Sequence, residues 1–292
     1  MKIFVTGANG QVGFELVRSL SVFGHVLAPS RDELDLSNEQ AVADYLAQHE
    51  PELIANAAAY TAVDKAEQEP ELADRLNHLL PKQLAEYALH NRASLVHFSS
   101  DYVYPGTGDT AYTEDSKVGA LSEYGRSKWA GDRAVMGSSC NHIILRTSWV
   151  YSARGNNFMK TMLRLAAERD QLNIVNDQVG SPTPARLLAQ VTSLSVHPLL
   201  EHKLTGVYHV APRGETSWCG FANAIFDEAC AHGKALAVKQ VHGIPTSEYL
   251  TPAKRPLNSR LNINKIEQVL NITLPDWQTC LHLTLSEYLD AL

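Results

Sequence analysis

With 292 residues, 45% of them hydrophobic and 20% charged, the chain has apolar material for a large core, as one big domain or two intimate lobes. A net charge of −7 with scattered basic residues excludes the electrostatic footprint of a nucleic-acid or anionic-membrane binder. No run approaches the ~20 apolar residues of a bilayer span, and Lys2 enters a strand without a charged leader, so a cytoplasmic protein is expected.

Short apolar runs alternate with helical patterns through the first half. Lys2 to Thr6, His25 to Ala28, Leu53 to Asn56, Leu95 to Ser99 and His142 to Arg146 read as strands. Gln11 to Phe23, Glu39 to His49, Ala73 to Asn91 and Tyr124 to Met136 carry apolar residues at helical spacing between them. Parallel neighbours need crossovers, so this rhythm predicts an α/β fold: a doubly wound, Rossmann-like parallel sheet.

The second half is less regular. Helical patterns at Phe158 to Glu168, Ala185 to Ser195 and Phe221 to His232 are separated by loops at Ser152 to Asn157, Val179 to Pro184 and Gly243 to Pro256. The expected division is a dinucleotide-binding domain over 1–147 and a smaller substrate-binding lobe over 148–292, with a strand at 206–211 returning to the main sheet. Cys140, Cys219, Cys230 and Cys280 are far apart and form no CxxC pair. They read as reduced thiols packed as small hydrophobes, and no metal is expected.

Ligands of such sheets bind beyond the carboxyl ends of the strands. The first strand ends in TGANGQVG, where Gly7, Gly10 and Gly13 give GxxGxxG rather than the standard GxGxxG. Asn9, Gln11 and Val12 stand among them, and the requirement is unchanged: a tight turn, backbone close to a pyrophosphate, and a helix N-terminus facing the anion. The alternative is a plain strand-to-helix turn. Ser30 and Arg31 follow the second strand, where an acid would hold the ribose of NAD. An arginine there suits the 2′-phosphate of NADPH, and adjacent Asp32 leaves NADH and a solvated surface charge open. Ala57, Ala58 and Ala59 end the third strand, small enough for a cofactor to lie against backbone or for tight helix packing.

Ser100 and Asp101 end the fourth strand, and Tyr124 and Lys128 share one helix face four residues apart. A phenol has a pKa of ~10, and a fixed positive charge beside it favours the phenolate. The set suits proton delivery to a carbonyl oxygen as hydride reaches the carbon. Trp149 ends the fifth strand and offers a flat apolar face for a sugar, though a lone Trp is more often core. Arg255, before Pro256, could grip a diphosphate and Asn157 could face a base, or either could cap a local turn.

These residues carry a resemblance. GANGQVG, NAAAYTAVDKAE (Asn56 to Glu67), SSDYVYPG (Ser99 to Gly106), YGRSK, RTSWVY (Arg146 to Tyr151), GNNFMKTML (Gly155 to Leu163), NDQVGSPT (Asn176 to Thr183) and PAKRPLNSRL (Pro252 to Leu261) cover nearly the whole chain in order. The chain resembles the dTDP-4-dehydrorhamnose reductases, extended short-chain dehydrogenase/reductases of L-rhamnose biosynthesis. The resemblance implies that Ser100 polarises the C4 ketone, Tyr124 protonates the alkoxide, and Lys128 tunes Tyr124 and holds the nicotinamide ribose. Many members have Thr where Ser100 stands. It also implies that Asp35 and Leu36 flank the adenine, that Asp101 and Tyr102 join Ser100 against a nucleotide sugar, and that NADPH, or NADH, is the cosubstrate. In some members glutamates at a subunit interface are thought to bind magnesium. Glu15 falls on one such position but Arg186 stands where another acid would be, so a homodimer is expected only as a possibility.

Two other readings compete. A nucleotide-sugar dehydratase or epimerase would recycle a tightly held NAD, but dehydratases carry an Asp-Glu pair where this chain has Asp101 and Tyr102. A binding role, as in the regulatory subunit of methionine adenosyltransferase, finds no missing catalytic residue to support it.

Overall fold

The computed structural model describes residues 1–291. Its centre is a six-stranded parallel sheet of β1 (Lys2–Thr6), β2 (His25–Leu27), β3 (Leu53–Asn56), β4 (Ser94–Ser100), β5 (Asn141–Thr147) and the strand Gly206–His209, which pairs with β5. Across the sheet the order is Gly206–His209, β5, β4, β3, β1, β2, with β1 flanked by β2 and β3.

Strand side chains alternate between faces, and both faces are apolar. Ile3, Val5, Leu53, Ala55, Val96, Ile143 and Leu145 belong to one core with Leu16 and Leu20 of α1 (Gln11–Leu20) and Leu188 of helix Ala185–Leu200. The intervening Phe4, Ile54, Leu95 and Ile144 belong to the opposite core. There they meet Val42 and Leu46 of α2 (Glu39–His49), Leu84 of helix Leu80–Asn91 and Val135 of helix Glu123–Gly137. The sheet is thus doubly wound.

A third core lies wholly in the second half, where helices Phe158–Glu168, Trp218–Ala231 and Trp277–Asp290 bury Met159, Phe221, Ile225, Trp277 and Leu285. The parallel pair Gln171–Val175 and Gln240–Ile244 completes it. Helix Ala185–Leu200 and the Gly206–His209 strand belong to the main sheet, so the second half of the chain serves both cores.

The single helix expected over Ala73 to Asn91 is broken. Pro70–Asp74 is α-helical, Arg75–Leu79 is a π-turn, and Leu80–Asn91 resumes the α-helix. Pro81 has no N–H to give the carbonyl of Asn77 four residues earlier, so the ladder loosens there. A Cβ on Gly131 of the neighbouring helix would lie 2.0 Å from that carbonyl, so only glycine lets the helices approach this closely. The helix expected to stop at Ser195 continues to Leu200 with Pro198 inside its last turn. Helix Trp277–Asp290 and strands Gln171–Val175 and Gln240–Ile244 add to the elements expected from sequence.

Candidate active site

The carboxyl ends of the strands open into a cleft of about 980 Å³, within the range of cofactor and substrate sites. Its floor begins at the glycine turn. Gly7 has φ +67°, and a Cβ there would come within 2.9 Å of the Ala58 backbone. A Cβ on Gly13 would lie 2.1 Å from the Gly7 carbonyl oxygen. No side chain caps the N-terminus of α1 and no acid occupies its first turn, so its leading N–H groups stay available to an anion. Thr6 locks the turn to β3: its hydroxyl donates to Asn56 Oδ1 at 2.7 Å and accepts from Ala58 N at 3.0 Å.

Gly7, Asn9, Gly10, Gln11, Val12, Arg31, Asp35, Leu36, Ala57, Ala58 and Ala59 all line this cleft, as do Ser100, Asp101, Tyr102, Tyr124, Lys128 and Trp149. Ser30 lies outside the lining; its N–H donates to Glu33 Oε2 at 2.7 Å and its carbonyl accepts from Leu34. Asp35 accepts from the Ser37 hydroxyl at 2.7 Å and the Ser37 amide at 2.9 Å, which together hold its carboxyl below the usual range and shape the loop beside Arg31.

At the sheet's centre Ser100 caps a turn of 3₁₀-helix, its oxygen accepting from Tyr102 N at 3.2 Å, and its hydroxyl lies 3.0 Å from Asp101 Oδ1. Helix Glu123–Gly137 starts from a Ser122 cap and carries Tyr124 and Lys128 on one side. Lys128 is 2% exposed and donates to the Phe98 carbonyl at 2.6 Å, leaving two of its three N–H donors for a ligand. Burial pulls its ammonium down to about 8, while Asp132 one turn on supports the charge. Asp132 in turn pairs with Arg146 at 2.9 Å, and Arg146 donates to Tyr104 Oη at 2.8 Å, in a polar layer beneath the site.

The phenol of Tyr124 departs from the sequence expectation. Burial pushes it up to about 12; the Ser100 hydroxyl opposes that rise, and Asp101 and Asp132 add to it. Desolvation is the dominant effect and outweighs any help from Lys128. Asp101, 2% exposed and with Oδ2 unpartnered, is likewise pushed up to about 6 by burial.

The far wall is aromatic. Trp149 sits at φ +51°, a left-handed conformation rare for a bulky residue, and stacks on Trp218 at 3.7 Å between ring centroids. Trp218 lines the cleft too and donates to Gln178 at 3.1 Å. Sequence reasoning missed it because the helix was read as starting at Phe221; the Ser217 cap before Trp218 was the available signal. Asn77, the π-turn residue, was also missed: its side chain accepts from Tyr60 N at 2.9 Å and donates to Ser127 at 3.0 Å, fixing the loop beyond β3 to the Tyr124 helix.

Two expected substrate residues lie outside the lining. Asn157 caps helix Phe158–Glu168 and donates to Gln11 Oε1 at 2.9 Å, so its donors are spent inside the protein. Arg255 is held bidentately by Asp64 at 3.0 and 2.8 Å, its charge already answered by a carboxylate. Arg186 likewise sits between two acids, 3.2 Å from Glu15 and 2.8 Å from Glu287.

The model of the RmlD substrate binding domain matches residues 1–290. The dTDP-4-dehydrorhamnose reductase of Salmonella typhimurium is 45% identical over 283 residues, 95% of each chain. Among solved structures, a dTDP-4-dehydrorhamnose reductase from Clostridium acetobutylicum superimposes with TM-score 0.89 at 36% identity, covering 100% of this chain and 99% of that one. The enzyme of the same name from Bacillus anthracis, solved in complex with NADP, gives TM-score 0.88 at 33% identity over 98% and 99% of the two chains. The chain therefore belongs to the dTDP-4-dehydrorhamnose reductase family.

Proposed function

We propose that this chain catalyses the NADPH-dependent reduction of the C4 ketone of dTDP-4-dehydro-L-rhamnose to dTDP-L-rhamnose. The observation that carries the reading is the opening of the glycine turn, Ser100, Tyr124 and Lys128 into one cleft. The turn fits a dinucleotide: close backbone approach at Gly7 and Gly13, a free helix N-terminus, and small Ala57 to Ala59 opposite. Bound there, NADPH supplies the hydride. Arg31 would hold its 2′-phosphate, and Asp35 and Leu36, which line the same cleft, would flank its adenine.

Tyr124 donates the proton. Reduction needs a protonated phenol at the outset; Tyr124 is protonated at neutral pH, and burial raises it further, to about 12. Ser100 hydrogen-bonds the same ketone oxygen and stabilises the developing negative charge. Lys128, pinned to the Phe98 carbonyl, would hold the cofactor ribose with its remaining N–H donors. Positioned proton transfer contributes ~10²- to 10⁴-fold, and alignment by the cleft supplies the rest. Residues 148–292 supply the sugar side through Trp149, backed by Trp218. Asp101 and Tyr102 line the same place.

The test mixes purified protein with NADPH and dTDP-4-dehydro-L-rhamnose and follows the absorbance of reduced cofactor. Loss of one NADPH per ketosugar, with dTDP-L-rhamnose formed, is expected. Conversion of dTDP-glucose with catalytic NAD to a 4-keto-6-deoxy product would overturn the assignment, since Tyr102 stands where an elimination base is needed. Arg31→Ala should weaken NADPH by ~1 to 3 kcal/mol and leave NADH nearly untouched; equal losses by calorimetry would remove Arg31 from the cofactor site.

A further inference from the structure

Away from the cleft, two helices of the second-half core bring a nitrogen and oxygen donor set together. Glu228 lies in the last turn of helix Trp218–Ala231 and His232 is its C-cap, one turn on. His282 and Ser286 lie one turn apart on helix Trp277–Asp290. Ligand atoms of Glu228, His232 and His282 all fall within 4.8 Å of one another. Glu228 Oε1 is 3.3 Å from His232 Nδ1 and in hydrogen-bond contact with His282 Nδ1, while Ser286 Oγ is 2.9 Å from His232 Nε2.

We propose that Glu228, His232 and His282 form a structural binding site for a borderline divalent cation of the Zn²⁺ or Ni²⁺ class. Two imidazoles and one carboxylate select such ions over Mg²⁺ and Ca²⁺, which demand oxygen shells. Tetrahedral Zn²⁺ with bonds of ~2.0 to 2.1 Å places its ligand atoms ~3.3 Å apart; His232 Nδ1 donates to the Glu228 carbonyl at 2.9 Å, which leaves Nε2, now beside Ser286 Oγ, as its ligand atom after a small side-chain adjustment. The fourth position falls to water, as in open zinc sites; the structural role rests on the site's place between two helices, away from the cleft.

The two helices pack through Phe221, Ile225, Leu281 and Leu285. A cation at their exposed end would staple that packing in the folded chain only, and so raise its melting temperature. Because the first helix begins at Trp218, the staple fixes the helix that backs Trp149.

The test uses untagged full-length protein, stripped with chelator and titrated with ZnCl₂ by calorimetry, with melting followed in parallel. Saturable binding of one equivalent, with a melting temperature raised by a few degrees, is expected. His232→Ala and His282→Ala should each weaken binding at least ~10- to 100-fold, the loss that even an outer partner of a ligating histidine brings. Both should keep the stripped protein's melting temperature, which shows that they fold. Cys230→Ser, an exposed thiol on the same helix, should bind like the parent. The proposal is overturned by absence of saturable binding, by unchanged affinity in both histidine variants, by loss in Cys230→Ser, or by competition from millimolar Mg²⁺.

Discussion

Tyr124 and Asp101 show how burial sets proton traffic at the site. Tyr124 is assigned the proton of the transition state and little ground-state binding. Tyr124→Phe should therefore cut turnover by ~10²-fold or more while NADPH affinity stays within a few fold, by steady-state rates and cofactor titration. Near-parental turnover would remove the phenol from the reaction. Asp101 holds its proton up to about 6 in the folded chain, against a reference of 3.8. Between those values the folded state binds more protons than the unfolded one, so this stabilising term is full below about pH 4 and is lost as pH rises through about 6. Asp101→Asn cannot ionise. Its stability relative to the parent should improve between about pH 4 and pH 8 by on the order of 1 to 3 kcal/mol, read from paired denaturant melts. A difference that does not change with pH would mean that the carboxyl titrates normally. Lys128 runs the other way: its ammonium fades above about 8, so turnover should fall as pH rises through that value.

Elements were legible in the sequence wherever a local pattern was strong. The core strands alternate and are continuously apolar, and Phe158–Glu168 was readable to the residue because Asn157 caps a clear amphipathic run. Boundaries failed where the cause was tertiary. Pro81 marks locally where the ladder loosens at Arg75–Leu79, but the close approach of Gly131 from another helix to the freed Asn77 carbonyl is tertiary. The glycine turn is the opposite case, since its spacing could be read directly and the geometry explains it. Gly13→Ala should abolish measurable NADPH binding and lower stability, because its Cβ would meet the Gly7 carbonyl at 2.1 Å with backbone on both sides. Calorimetry showing parental cofactor affinity in a folded Gly13→Ala protein would sink that account of the turn.

Over the whole molecule, distant segments are tied together outside the cleft lining. Asp64 follows β3 and Arg255 stands near the C-terminal end, joined by two charge-assisted hydrogen bonds, with Ala253 N also donating to Asp64. The pair is partly exposed, with side chains 38% and 23% accessible, so its contribution to stability is small, within ~1 kcal/mol. Its effect should instead fall on the sugar site, since Arg255 sits close enough to Tyr102 to act on its charge. Asp64→Asn should leave the melting temperature within about 2 °C of the parent, change KM for the nucleotide sugar several-fold and spare NADPH affinity. Unchanged KM would reduce the pair to a surface contact.

Strand rhythm, the glycine turn and the Tyr124–Lys128 spacing could be read from sequence because each is a short-range pattern imposed by backbone geometry or bond chemistry, and Ser100 from its place at a strand's carboxyl end. Three features were decided only by the tertiary structure. Trp218 joins Trp149 across 69 positions of chain, a pairing no local spacing encodes. Asn157 and Arg255 kept the residue types a ligand would want, yet Gln11 and Asp64 take up their hydrogen bonds within the fold. The high phenol of Tyr124 follows from the elements packed around it at the half-buried floor of the cleft, a property of the packed whole that the four-residue spacing to Lys128 does not contain.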